Sequence, residues 1–69
     1  MKEFSAVVYN NDGTHYIIKA MLNLNDVVMF QEYENDHRQT HILLCSGHDT
    51  IIDTPYDIFK ENFKKASDE

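Results

Sequence analysis

The sequence is poor in the residues that build disulfide-stapled or membrane-spanning proteins. It has one cysteine, one proline, two glycines and no tryptophan among 69 residues. A single thiol, Cys45, cannot form an intramolecular disulfide, which favours a reducing compartment. No apolar run approaches the roughly 20 residues of a membrane-spanning helix, and the N-terminus lacks the apolar stretch of a signal peptide. We therefore expect a cytoplasmic protein without a membrane partner.

Positive charge is also scarce. Six Lys and Arg residues stand against 12 Asp and Glu residues, which gives a net charge of −6. Non-specific nucleic-acid binding depends on Lys and Arg that neutralise phosphates, so we expect no direct nucleic-acid partner. The length allows one domain, residues 1–69. Small domains without disulfides or metals often gain stability by oligomerising, and we expect a homo-oligomer.

Five segments between residues 4 and 53 have the composition of β-strands. β-branched and aromatic residues predominate in them, and Asn11-Asp12-Gly13 and Ser46-Gly47 separate neighbouring segments as hairpin turns do. The predicted strands are 4–9, 16–21, 27–34, 40–45 and 50–53. Their order along the chain favours an antiparallel, meander-like sheet.

The last segment has the period of a helix. Thr54 is a helix-capping residue type, and Pro55 suits the first helical position. An apolar stripe follows at spacings of 3, 4 and 3, formed by Tyr56, Phe59, Phe63 and Ala66. We therefore predict a helix over about 55–66. The expected fold class is α+β, a four- to five-stranded bent antiparallel sheet (β-meander or half-barrel) with one C-terminal helix.

Both faces of this sheet carry apolar residues, because strand side chains alternate between faces. Ile18 and Leu22 oppose Ile17 and Met21, and in the third strand Val27 and Met29 oppose Val28 and Phe30. One helix covers one face, and we expect its stripe to face Ile18, Leu44 and Ile52, or else their neighbours on the opposite face. The other face must either close on itself as a barrel or meet a partner, and the sequence leaves both alternatives open.

Four residues have the chemistry of zinc ligands: His37, His41, Cys45 and His48. On one strand, His41 and Cys45 lie about 13 Å apart at 3.3 Å per residue, whereas zinc binds its ligands at about 2.0–2.3 Å. We expect exposed turn histidines and a packed Cys45. A metal shared between subunits is the one form of site left open.

The sequence also lacks the patterns that are typical of catalytic sites. A reactive thiol needs an electropositive, partly exposed setting, and no nucleophile-elbow or glycine-rich phosphate motif is present. We expect neither an enzyme nor a cofactor.

Acidic residues concentrate in the second half of the chain. From Asp26 to Asp57 there are seven acids and one arginine, Arg38. Such asymmetry can steer a basic partner, or a line of carboxylates can imitate a nucleic-acid backbone. We predict a partner-binding acidic surface made of Glu32, Glu34, Asp36, Asp49 and Asp53.

A generic pattern runs through residues 22–63. It consists of Leu24-Asn25-Asp26-Val27-Val28, then Thr40-His41-Ile42-Leu43-Leu44 with Ser46-Gly47, then Ile51-Ile52-Asp53-Thr54-Pro55. This pattern resembles small β-meander-plus-helix accessory proteins of bacteria and phages, of which small flagellar-operon proteins are one example. Its strand-strand-helix end is similar to the LytTR-type DNA-binding domain, although the acidic loops depart from what phosphate contact requires. The resemblance implies a small non-enzymatic accessory or regulatory module and carries over no catalytic residue.

Two hypotheses of function follow from the sequence. The first is a non-enzymatic protein-interaction module that self-associates and acts by occupying a protein partner. The alternative is a phage-type inhibitor whose acidic surface mimics DNA and blocks a host nucleic-acid-binding enzyme.

Overall fold

The computed structural model describes residues 2–67, with side chains up to residue 65. It contains five strands and one helix, and no helix within these residues is long and apolar enough to cross a membrane. Ala66, the fourth residue of the predicted apolar stripe, lies outside the described side chains. The elements are β1 (Lys2–Tyr9), β2 (His15–Leu22), a 3-10 turn (Leu24–Asp26), β3 (Val27–Glu32), β4 (Thr40–Leu44), β5 (Asp49–Ile52) and α1 (Tyr56–Ser67).

The two glycines form two hairpin turns of the same kind. Both have positive φ angles, 89° at Gly13 and 91° at Gly47. The N–H of each donates to the carbonyl three residues earlier, at 3.1 Å for Gly13 and 3.0 Å for Gly47. This is the three-residue hairpin loop that places its last residue in the left-handed region, where a side chain would be strained. The predicted turns between β1 and β2 and between β4 and β5 are therefore confirmed.

The five strands form one antiparallel sheet in the order β2-β1-β5-β4-β3. The meander pairs β1–β2, β3–β4 and β4–β5 are present, and β5 also pairs with β1. Because β2 and β3 do not pair, they form the two edges and the sheet stays open. The predicted α+β fold with a bent sheet is confirmed, and the sheet does not close into a barrel.

The core lies between one face of the sheet and α1. Phe59 is fully buried (0% exposed), and its ring centroid lies 4.8 Å from that of Phe30 and 5.6 Å from that of Phe4. The buried cluster consists of Phe4, Leu22, Leu24, Ile42, Ile52 and Phe59, with Val27, Phe30, Leu44 and Phe63 packed against it. The predicted roles of Leu44 and Ile52 are thus confirmed.

The prediction that Ile18 lies under the helix is wrong. Its side chain is 44% exposed. Ile18 belongs to the edge strand β2 and pairs with Ala6 of β1, whereas the helix rings lie against Phe4 and Phe30. The edge position leaves Ile18 outside the cluster that the helix seals.

A β-bulge changes the predicted faces of β3. Val27 pairs with Leu44 and Met29 pairs with Leu43, with a register shift between them. In a bulge two residues oppose one, which reverses the alternation of side chains. Val27 therefore packs against the core, while Met29 is 51% exposed. The prediction that these two residues share a face is wrong.

The helix begins at Tyr56, and the carbonyl of Pro55 accepts the N–H of Phe59 at 3.0 Å. Thr54 contributes its carbonyl, which accepts the hydroxyl of fully buried Thr40 at 2.6 Å. Within residues 2–67 no hydrogen bond from the Thr54 side chain to the helix is present, so Thr54 does not cap the helix as predicted. Its backbone instead ties the start of α1 to β4 and satisfies a buried hydroxyl.

Replacing Phe59 with alanine should remove the contact that holds α1 to the sheet. We expect Phe59→Ala to lower the free energy of unfolding by about 3–5 kcal/mol, because a large core side chain is lost and a cavity remains. Ile58→Ala is the matched control, since Ile58 lies next to Phe59 but is 55% exposed and should change stability by only about 0.5 kcal/mol. Urea denaturation measures both values, and equal losses would contradict this packing.

Candidate functional site: the sheet face without a helix

The sheet face opposite α1 is apolar in its middle, and we call it the helix-free face. Strand register places Ile17, Val7, Ile51, His41 and Gln31 in one row across the five strands. These residues alternate with core residues such as Ala6 and Ile52, so they point away from the helix. Val7 in the middle of this row is buried (6% exposed), so the exposed apolar groups of the helix-free face lie toward its two edges, at Ile17 and at Met29.

Four rings cross this face, and we call them the aromatic row. His15 contacts Tyr9, Tyr9 contacts Tyr33 and Tyr33 contacts His41, with ring centroids 5.4, 5.9 and 6.1 Å apart. The Tyr9 hydroxyl also donates to the side-chain oxygen of Gln39 at 2.8 Å. Gln39 is buried, and this bond satisfies its carbonyl oxygen. The row and this hydrogen bond therefore connect β1 with β4 and with Tyr33, which follows β3, across the helix-free face.

The same face holds an open groove of about 400 Å³, which shares His41 with the aromatic row. The exposed side chain of Met29 and the half-buried side chain of Leu43 give it an apolar floor. His41 and Asp49 line its side, with 2.7 Å between His41 Nε2 and Asp49 Oδ2. The hydrogen bond from His41 and its nearby charge hold the pKa of Asp49 below its ordinary value of 3.8. The groove thus combines an apolar floor with a carboxylate that is ionised at neutral pH.

The structure gathers four of the five predicted acidic residues at one end of the sheet. Glu32 ends β3, Glu34 and Asp36 lie in the β3–β4 loop, and Asp53 follows β5. The backbone N–H of Asp53 donates to the carbonyl of Ser5. The charge of Asp53 also acts on Arg38, which lies in the β3–β4 loop.

Asp49 lies apart from this group, in the groove. It is four residues from Asp53 along the chain, or about 13 Å at the rise of a strand. The five residues therefore do not form one line.

Several of these carboxylates have partners within the chain. The Glu32 carboxylate lies 2.8 Å from His37 Nδ1. Asp36 accepts the backbone N–H of Arg38 at 2.9 Å and its guanidinium at 3.3 and 3.4 Å, which lowers the pKa of Asp36 and raises that of Arg38. Within residues 2–67, Glu34 and Asp53 have no side-chain hydrogen bond or ion pair. Of the two, Asp53 still interacts electrostatically with Arg38.

The four zinc-ligand types lie apart from one another. His37 contacts Glu32, His41 contacts Asp49, and His48 Nδ1 lies 3.1 Å from the hydroxyl of Ser46. In the described part of the chain, no group of three or more His, Cys, Asp or Glu side chains is placed to hold a metal ion.

The prediction of a packed Cys45 is wrong, because its side chain is exposed. β4 ends at Leu44, which leaves Cys45 in the β4–β5 turn. Its backbone N–H donates to the carbonyl of Asp26 at 2.8 Å, which fixes this turn to the residue that precedes β3.

Two contacts on this face were not predicted from the sequence. The pairing of His41 with Asp49 could have been found from the Gly47 turn, since that hairpin register brings both residues to the same face. Nothing in the sequence indicates that Tyr9 of β1 meets Tyr33 beyond β3, because two strands lie between them.

Comparison with known protein families, curated proteins and solved structures finds no match for the chain.

The His41–Asp49 contact predicts a titration that can be measured directly. Replacing His41 with glutamine keeps a polar side chain but weakens the hydrogen bond and removes the nearby imidazole, so the pKa of Asp49 should rise toward 3.8. Because the folded pKa is depressed, the contact stabilises the fold fully above the ordinary Asp pKa and this contribution is lost as the pH falls through the folded pKa. Carbon-13 NMR of the carboxylates measures the shift, and an unchanged Asp49 pKa would show that the contact is absent in solution.

Proposed function

We propose that the chain is a non-enzymatic, cytoplasmic protein-interaction module that acts by occupying a protein partner through its helix-free face. The observation that supports this most is the exposed apolar surface there. Met29, which lines the groove, is 51% exposed, although the other face of the sheet already supplies the core. An apolar patch bordered by polar groups, here Met29 and the half-buried Leu43 beside His41 and Asp49, is typical of interaction sites.

The charge around the groove indicates the chemistry of the partner. Asp49 lies at its side with a depressed pKa, and the chain as a whole carries −6. Interfaces join an apolar centre with complementary charges at the rim. The partner should therefore present an apolar side chain next to Lys or Arg, with the apolar group seated between Met29 and Leu43. The unbranched thioether side chain of methionine adapts readily to such a group.

The Met29→Lys variant tests this surface. It places a cation where the proposed partner has one, so like-charge repulsion and lost apolar contact should both weaken binding. Ile58→Lys is the matched control, because Ile58 is exposed to a similar degree (55%) but lies on the helix. Tagged wild type and both variants are compared in pull-downs from the native host, with mass spectrometry of the captured proteins.

The expected result is a captured protein that Met29→Lys loses and Ile58→Lys retains, and whose binding weakens as salt is raised. A protein held equally by all three chains would contradict a role for the helix-free face.

A DNA-mimic inhibitor is the second candidate. The observation that favours it is the group of acids at the β3–β4 end, where Glu34 and Asp53 have no side-chain hydrogen bond or ion pair in the described chain and Glu32 and Asp36 lie close by. Such a surface would occupy the DNA site of a host nucleic-acid-binding enzyme. The internal partners of Glu32 and Asp36 reduce the charge that this surface offers, which is why we place it second.

Charge reversal separates the two candidates. If the acids mimic DNA, Glu34→Lys should weaken capture of the partner, while Glu61→Lys on α1 makes the same change in net charge elsewhere and should not. Duplex DNA added to the captured complex should then release the chain. Full capture by Glu34→Lys together with no release by DNA would exclude the mimic.

A further inference from the structure

The edge strand β2 has the properties of an association surface. It is eight residues long, pairs with β1 along its whole length without a bulge, and has no strand on its other side. Tyr16, Ile17 and Ile18 are consecutive and each 44–51% exposed, and Met21 is 57% exposed. Side chains alternate between faces, so the strand exposes apolar groups on both sides.

The backbone of β2 is also open to a partner. In an antiparallel pair, hydrogen-bonded and non-hydrogen-bonded residue pairs alternate. The bond from the Asn10 N–H to the Thr14 carbonyl (2.8 Å) sets this alternation. It follows that the N–H and C=O groups of alternate β2 residues point away from β1, namely those of His15, Ile17, Lys19 and Met21. Within residues 2–67 these outward groups have no backbone partner.

The opposite edge is protected where β2 is not. β3 has six residues, a bulge between Val27 and Met29, and the carboxylate of Glu32 at its end. Bulges, short strands and charges are the usual means by which proteins prevent edges from pairing. Along β2 the only fixed charge is that of Lys19. An apolar, regular edge of this length is a template for another strand.

Charge indicates what that strand is. The chain has a net charge of −6, so two copies repel each other over most of their surface. Residues 13–25, which contain β2, carry no Asp or Glu. Two copies can therefore meet at β2 without bringing carboxylates together.

Symmetry points to the same partner, because two identical antiparallel strands related by a twofold axis are self-complementary. We propose that two copies of the chain pair β2 with β2, antiparallel, and join their sheets into one of ten strands. This gives the protein-interaction module of the preceding section a homodimeric form, and it rests on a surface separate from the groove.

The exposed side chains favour one register of this pairing. Centring it on Ile17 places Ile17 against Ile17 of the second copy and Tyr16 against its Ile18. Aromatic and β-branched residues in opposite positions stabilise a sheet. Centring it on Lys19 would oppose two like charges, which destabilises the pair. In the favoured register the two Ile17 Cα atoms lie about 5.5 Å apart, within the range of about 4.4–6.8 Å that a disulfide spans.

The oligomeric state of the full chain is the first measurement. Analytical ultracentrifugation at high micromolar concentration should give twice the 8.1-kDa mass of one chain. Ile17→Lys should shift the protein to monomer, because it puts a charge opposite its own copy. Ile17→Pro should also give a monomer, because it removes the outward N–H that would bond the second copy. The fold itself should survive, since an edge strand tolerates proline at such a position. Ile58→Lys, which is equally exposed on α1, should remain a dimer.

The register is tested by cross-linking in a Cys45→Ser background, which removes the exposed native thiol. Ile17→Cys should form a disulfide-linked dimer on mild oxidation. Met21→Cys is the control, because Met21 lies on the same strand and face as Ile17 and is similarly exposed. In the favoured register the two copies of residue 21 would be eight residues apart along the strands, a distance of roughly 26 Å. Cross-linking of Met21→Cys at the rate of Ile17→Cys would overturn the register.

The remaining outcomes separate this inference from the proposed function. A monomeric wild type, or a dimer that survives both Ile17→Lys and Ile17→Pro, overturns the β2 pairing. Neither result bears on capture of a partner through Met29, which the pull-downs measure independently. Loss of capture in Met29→Lys with an unchanged dimer would confirm that the two surfaces are distinct.

Discussion

The length of the link between β2 and β3 is the constraint on which the rest of the fold depends. These strands lie at opposite edges of the sheet and run in the same direction, and only residues 23–26 join them. Five Cα steps reach at most about 18 Å, whereas four strand spacings of about 4.8 Å already exceed that in a flat sheet. The sheet must therefore coil until the end of β2 meets the start of β3. Leu22 and Leu24 stabilise this arrangement, because both are buried with Phe4 and Phe59.

Coiling also explains why a single short helix suffices for the core. The curved face brings Phe4 of β1 and Phe30 of β3 close enough for Phe59 to contact both rings, although two strands lie between them in the sheet. The helix consequently covers only this face of the sheet. Tyr9 and Tyr33 meet on the other face, but they leave the floor of the groove open. The apolar residues that remain outside the core are therefore a consequence of the architecture.

Local sequence signals predicted what depends on local structure. The turn at Gly13, the turn at Gly47 and the stripe around Phe59 each need only neighbouring residues, and all three were predicted correctly. The errors concern contacts between distant residues. Val27 changes face because a bulge shifts its register against Leu44, and no residue in β3 marks that position. Cys45 was predicted to continue β4, but the strand ends before it. The backbone N–H of Cys45 instead donates to the carbonyl of Asp26.

The same link excludes barrel closure, one of the two alternatives that the sequence leaves open. Because β2 and β3 run in the same direction, closing the barrel would require a parallel pair, and parallel strands joined in sequence need a connection of about a dozen residues or more. Four residues cannot provide it. The sheet therefore keeps two edges, and the sequence treats them differently: β3 has its bulge and Glu32, while β2 keeps a regular backbone and apolar side chains on both faces. This edge cannot be closed from within the chain, and its only fixed charge is that of Lys19, which is why we propose an identical edge as its partner.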